Sequence, residues 1–252
     1  MINFKKALAA AMCCVFFTVS ATACDKEKSD NKDGYDTSAG GYINYTAPKE
    51  GEDVLVLTIK DKGDIKIKLF PEETEKGVEN IKGLAEKGYY DGLIFHRIIN
   101  NFMIQGGDPL GNGTGGESMW GGKFDGGTSD KLTHVAGSVA YANSGATSTN
   151  GSQFYIVTGD KLDDEKIELY AANNIVLSEA AQELYKTEGG AAYLDGGYTI
   201  FGQVYDGLDI VFELQAVETD ENDKPVEDVV IEKMTVEKYD GGDVKFRIGD
   251  YK

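Results

Sequence analysis

Apolar and polar positions alternate in short runs along most of this chain, and the period of those runs predicts a domain built mainly from strands. Residues 54–59 read Val-Leu-Val-Leu-Thr-Ile, an apolar run suited to a strand covered on both faces. Asp61-Lys62-Gly63-Asp64 predicts a turn, and beyond it Ile65, Ile67 and Leu69 alternate with Lys66 and Lys68. After Pro71 the spacing changes. Glu72, Glu73 and Glu75 suit the start of a helix, Val78, Ile81, Leu84 and Ala85 form its apolar stripe, and Gly88 is placed to stop it. β-prone runs resume at 93–99, 102–105, 135–142 and 153–158, with a glycine-rich loop over 106–127.

From 162 to 188 the composition turns to Ala, Glu, Leu and Lys. Leu177, Ala181, Leu184 and Tyr185 fall at helical spacing behind Ser178, a candidate N-cap, so one or two helices are expected as an insertion between strands. Residues 199–204 predict a strand, 208–216 a short amphipathic helix and 229–237 a last strand. Many short strands with few helices predict a mainly β fold, a closed antiparallel sheet plugged by helices. No internal repeat is visible.

The N-terminal region follows a different rule. Lys5 and Lys6 precede an uncharged run over 7–23 that stops at Cys24 and Asp25, the layout of a signal peptide. That run is marginal for a bilayer, which needs ~20 apolar residues, and no basic flank follows it. Ala21-Thr22-Ala23 is an A-x-A cleavage site, and with Cys24 directly after it the segment also matches a bacterial lipobox, Ala21 standing where Leu is usual. Both readings remain open; the polar stretch after Cys24 favours lipid attachment there, which would hold the protein to a membrane outside the cytoplasm. The expected organisation is a signal peptide (1–23), a lipidated Cys24 with a flexible tether (24–52), a folded domain (53–240) and a C-terminal tail (241–252). Cys13 and Cys14 fall in the segment to be removed. One remaining cysteine forms neither an intrachain disulfide nor a zinc site.

A chain of 252 residues with 41% hydrophobic content can bury a core. Its formal charge of -18 argues against a nucleic-acid surface, because phosphate binding needs clustered Lys and Arg. The acidity names no partner.

The chemistry concentrates in Phe95-His96-Arg97-Ile98-Ile99-Asn100-Asn101-Phe102-Met103-Ile104-Gln105-Gly106-Gly107-Asp108. Alone, this pattern fits an arginine facing solvent while Phe95 and Ile98 face inward. The segment nevertheless resembles the signature block of the cyclophilins. So do Gly113-Thr114-Gly115-Gly116, Gly151-Ser152-Gln153-Phe154-Tyr155-Ile156 and the run from Leu194-Asp195-Gly196-Gly197-Tyr198 to Val204, in the family's order and across the predicted domain. The resemblance implies a closed eight-stranded antiparallel barrel capped by two helices, and peptidyl-prolyl cis-trans isomerase activity without cofactor or metal. It implies Arg97 as the catalytic residue, with Phe102, Met103, Tyr155 and Leu194 lining a proline pocket and Gln105, Ala142, Asn143 and Gln153 holding the peptide. Tyr193 and Tyr198 complete the site. Tyr155 stands where the family usually has Phe, Tyr193 where it often has Trp, and Tyr198 where many members have His. The Tyr193 position contacts cyclosporin, so sensitivity to that inhibitor is placed in doubt. The implied partners are proline-containing peptides and folding proteins, acted on by a monomer; the alternative is a non-catalytic chaperone or adaptor using the same groove.

Two further patterns lead nowhere. Gly111-Asn112-Gly113-Thr114-Gly115-Gly116 matches G-x-G-x-x-G, but no helix pattern follows it, so it predicts no dinucleotide site. His96 and His134 have no hydrolase motif around them.

Overall fold

β1 (Asp53–Ile59) and β2 (Gly63–Leu69) form the first hairpin, with Leu57 opposite Ile65 and left-handed Asp61 and Gly63 in the turn. The computed structural model describes residues 41–251, so the expected signal peptide, Cys24 and the first part of the tether lie outside the described residues. Six further strands follow: β3 (Arg97–Ile99), β4 (Met103–Gly106), β5 (Ser138–Tyr141), β6 (Phe154–Val157), β7 (Ile200–Asp206) and β8 (Ile231–Lys238). They join one sheet in the order β3-β4-β6-β5-β7-β2-β1-β8, every pair antiparallel.

The sheet curls around a core on its inner face. Leu55, Leu57 and Ile59 of β1, Ile65 and Ile67 of β2, Ile98, Ile104, Val139, Ile156 and Phe201 meet there. Helix α1 (Glu75–Glu86) closes one end with the predicted stripe of Val78, Ile81, Leu84 and Ala85. Its Thr74 cap position does not bond its own helix; the hydroxyl donates to Ile200 O at 2.9 Å, tying the helix start to β7. Helix α4 (Leu208–Leu214) closes the other end through Leu208, Val211 and Leu214.

The inserted segment forms two helices, α2 (Asp164–Ala172) and α3 (Glu179–Glu188). Both start on side-chain caps: Asp163 accepts from Lys166 N at 2.8 Å and Ser178, as predicted, from Ala181 N at 3.2 Å. Their apolar residues Tyr170, Ala181, Leu184 and Tyr185 join Val54, Val135 and Tyr205 in a second cluster on the outer side of the sheet. That second cluster explains why β1 is apolar on both faces.

Four expectations need correction. The barrel is not closed: β3 and β8 end the sheet without sharing a ladder, and the described residues form a curled eight-stranded half-barrel with four helices. Across the seam run only an isolated bridge, Ile94 with Val230, and backbone bonds such as Phe95 N to Val229 O. The expected strand at 93–99 is correspondingly reduced to Arg97–Ile99. The tether, expected to extend to residue 52, is packed over 43–48: Asn44 and Tyr45 are buried, and Asn44 bonds Thr133 and Gln203. The tail is packed too. Phe246 is buried against the Tyr45 ring at 5.6 Å, and the Tyr251 hydroxyl accepts from Leu208 N and donates to Lys245 O, both at 2.9 Å. Polar groups satisfied by hydrogen bonds bury as readily as apolar ones, and hydropathy does not register them.

Candidate active site

The pairing of three strands sets out the site. Arg97 on β3 lies opposite Gln105 on β4, which lies opposite Tyr155 on β6, which lies opposite Ala140 on β5. Residues directly opposite share a face, and alternation sends their neighbours Ile98, Ile104 and Ile156 into the core. The row from Arg97 to Ala140 therefore belongs to the outer face. Met103 joins it, two residues from Gln105.

This face carries a third apolar cluster. Met103, Ala140, Tyr155 and Leu194 form its buried floor; Phe102, Ala142, Tyr193 and Tyr198 are half-buried around them. Every residue expected to line the proline pocket is in this cluster. Phe102 and Tyr193 face each other at 5.8 Å between ring centroids, and Tyr198 meets Tyr155 edge-on at 5.9 Å. Burial pushes the Tyr155, Tyr193 and Tyr198 phenols up from their ordinary range, so the depression carries no tyrosinate charge at neutral pH. A neutral apolar hollow of this kind suits a proline ring. A separate cleft, about 600 Å³ and lined by Ile59, Lys62, Leu214, Val217, Val226 and Val230, contains none of these residues.

Polar groups flank the hollow. Gln105 Nε2 donates to Gln153 Oε1 at 2.9 Å, and Gln153 Nε2 donates to Gly115 O at 2.8 Å and Gly113 O at 3.1 Å. The loop supplying those carbonyls is wound around Asp108, whose buried carboxylate accepts from the backbone of Leu110, Asn112 and Gly113. Burial alone would raise the Asp108 pKa; these N–H groups outweigh it and hold the carboxyl below its usual range. Gly107 starts this loop at φ 82°, where a Cβ would stand 2.5 Å from Ser152 O, so no other residue fits. Ala142 N bonds Gln153 O at 3.0 Å, and Asn143 Nδ2 reaches Gly197 O at 3.4 Å. Asn143 thus sits on the rim, linked to the loop that bears Tyr198.

Arg97 is partly exposed, and its Nε lies 3.5 Å from Asp223 Oδ2. Asp223 is a left-handed residue, φ 64°, whose carbonyl accepts from Ile98 N at 2.8 Å. At Tyr193, burial raises the phenol pKa and the Arg97 charge opposes it. The side chain keeps its N–H donors free of any short carboxylate bond.

A network beneath the floor escaped the sequence reading. His134, fully buried, sets its Nδ1 2.8 Å from Asp195 Oδ1 and its Nε2 3.0 Å from the Tyr155 hydroxyl. Asp195 also accepts from His134 N, the Thr133 hydroxyl and the Tyr185 hydroxyl, at 2.6–2.8 Å. One signal for it existed: a Tyr in place of Phe at a buried position brings a hydroxyl that needs a partner. His96 is buried beside Arg97, and neither of its ring nitrogens has a hydrogen-bond partner in the structure.

Comparison with known proteins agrees with this arrangement. Residues 54–236 match the family model for cyclophilin type peptidyl-prolyl cis-trans isomerases. A Staphylococcus aureus protein named as a peptidyl-prolyl cis-trans isomerase is 40% identical over 190 residues, which cover 75% of this chain and 94% of that one. A Streptococcus pyogenes protein named as a bifunctional phosphatase/peptidyl-prolyl cis-trans isomerase is 44% identical over 200 residues, covering 78% of this chain but only 40% of that longer one. Among solved structures, a cyclophilin of Cryptosporidium parvum determined in the presence of the dipeptide Ala-Pro shares 28% identity. It has a TM-score of 0.59, with 74% of this chain and 99% of that one covered. Strand order, pocket and family match converge, and this chain belongs to the cyclophilin-type peptidyl-prolyl cis-trans isomerases.

Proposed function

We propose that the isomerase activity of this family runs, in this chain, through Arg97 above the Met103–Tyr155–Leu194 floor, and serves proteins folding outside the cytoplasm. Rotation about a peptide bond faces ~20 kcal/mol because the amide nitrogen shares its lone pair with the carbonyl. Uncatalysed X-Pro isomerisation takes tens to hundreds of seconds, slow enough to limit folding. In the twisted state the proline nitrogen becomes pyramidal and regains that lone pair. A guanidinium N–H can then donate to it, an interaction the planar amide accepts poorly, so the bond favours the transition state over either isomer. The pocket holds the ring while the preceding carbonyl turns, and Gln105, Gln153 and Asn143 anchor the flanking backbone. No proton transfer is required.

The observation carrying this reading is the aligned row of Arg97, Gln105 and Tyr155 across three paired strands. The Ala-Pro dipeptide present with the Cryptosporidium relative supports a proline peptide as the substrate class. The N-terminal pattern ending at Cys24 supports a lipid-anchored site of action. Arg97→Ala tests the mechanism in a protease-coupled proline-peptide assay. Losing one preorganised donor lowers kcat/KM by about 10²–10³. The stability cost stays below ~1 kcal/mol, because the Arg97–Asp223 pair is exposed. Full activity in that variant would refute the proposed role. For the anchor, Cys24→Ala should move the protein from the membrane fraction of expressing bacteria to the soluble fraction; unchanged fractionation overturns it.

A further inference from the structure

The insertion of α2 and α3 touches the pocket from two sides. On the rim, Tyr170 of α2 is buried and presents its ring edge-on to Tyr193 at 6.2 Å, and Tyr193 in turn lies 5.8 Å from Phe102. Beneath the floor, the hydroxyl of Tyr185 of α3 donates to Asp195 Oδ2 at 2.7 Å. Asp195 Oδ1 holds His134, and His134 Nε2 meets the Tyr155 hydroxyl at 3.0 Å. The end of α3 is fixed to the same region. Gly189 O accepts from Ala136 N, and Ala191 N donates to His134 O at 2.8 Å. A helix pair packed only for its own burial has no need to place one tyrosine against the rim and another in the carboxylate cradle under the floor.

We propose that Tyr170 and Tyr185 are positioning residues for the isomerase: the insertion sets the spacing of rim and floor, and so the fit of the proline-flanking residues. This inference rests on the pocket reading given above. Arg97 is carried by β3 and paired through β4, outside both routes, so the insertion acts on how peptide is held more than on the rotating bond. Tyr185→Phe removes the donor to Asp195 and keeps the ring; Tyr170→Leu removes the ring edge and keeps apolar bulk.

The test uses the full chain and a chromogenic proline tetrapeptide, with urea unfolding alongside. Each variant should raise KM by roughly five- to tenfold while kcat stays within about twofold, since a full 1 Å misplacement costs ~10²-fold and losing one hydroxyl or ring edge shifts the pocket by less. The double variant should exceed either single one. Unchanged KM in both variants, whatever happens to their stability, overturns the proposal, as does a fall in kcat at constant KM. Should Tyr185→Phe fail to fold, Tyr170→Leu alone decides, by the same two criteria. Arg97→Ala, assayed beside them, separates the failures. Undiminished activity there refutes the pocket reading, whereas a large loss beside silent tyrosine variants refutes only the role of the insertion.

Discussion

Lys68 makes a quantitative forecast possible. Its ammonium donates to Thr46 O at 2.8 Å and Ala47 O at 3.3 Å and sits 5.4 Å from the centroid of the Phe70 ring, with the residue 9% exposed. Among the described residues no carboxylate pairs with it at ion-pair distance. Burial pushes its pKa down from 10.5 to about 8, only partly opposed by Glu52. Between those two values the unfolded chain binds the proton and the folded chain does not, so stability rises with pH across that window. Each pH unit well inside it contributes ~1.4 kcal/mol, and the gain reaches roughly 2 kcal/mol near pH 9.5. Against this Lys68 share stand ten phenols raised by burial among the described residues, Tyr45, Tyr90, Tyr155 and Tyr185 foremost: the unfolded tyrosines lose their protons first, and above about pH 9 their sum reverses the sign. Urea unfolding followed by circular dichroism at constant ionic strength, in steps from about pH 7 to 8.5, where the phenols contribute little, measures this rise directly. Lys68→Met keeps the apolar stem without the charge and should flatten it. A wild-type profile that is level or falling from about pH 7 to 8.5, or an equal rise in Lys68→Met, would refute the reasoning.

Two more outcomes follow from buried polar groups. Asn44→Ala removes three hydrogen bonds, to Thr133 O, Thr133 N and Gln203 Oε1, and should cost about 2–4 kcal/mol in the same urea titration. Asp108→Ala frees the loop that holds Gln153, so KM for a proline peptide should rise severalfold. Because Asp108 is held below the usual carboxylate range, its stabilisation is complete above the unfolded pKa of about 4 and is lost as pH falls through the folded value. Acid unfolding of Asp108→Ala should therefore begin from a lower plateau with a shallower slope than wild type, and identical acid profiles would contradict this account.

The elements most legible in the sequence were those with a clean period. β1, β2, α1 and the capped helix behind Ser178 all stand where hydropathy predicts them. The expected pocket residues came from motif order, and Phe102, Met103, Tyr155 and Leu194 do meet in one cluster although they lie far apart in the chain. What hydropathy missed was decided by partners distant in sequence. Asn44 reads as tether because a buried amide is indistinguishable from an exposed one until Thr133 and Gln203 are placed beside it. Phe246 sits in Val244-Lys245-Phe246-Arg247-Ile248, a short alternation that forms no strand, and its partner Tyr45 lies 201 positions away. The Asp195–His134–Tyr155 chain joins residues 61 and 21 positions from one another through side-chain tips alone, separations no local pattern encodes. Closure failed for a related reason, since whether β3 meets β8 depends on the loops that fill the seam.

The place of β1 between β2 and β8 bears on how the molecule comes into being. Leu55 pairs with Ile67 on one side and with Val236 on the other, so the second of strand one's neighbours lies 181 positions further along the chain. A polypeptide emerging N-terminus first, from a ribosome or a pore, leaves one edge of its first strand bare until residue 238 is free. Such late pairing slows folding and leaves that bare edge open to other chains in the interval. The first strand of this domain stays incomplete until its eighth arrives.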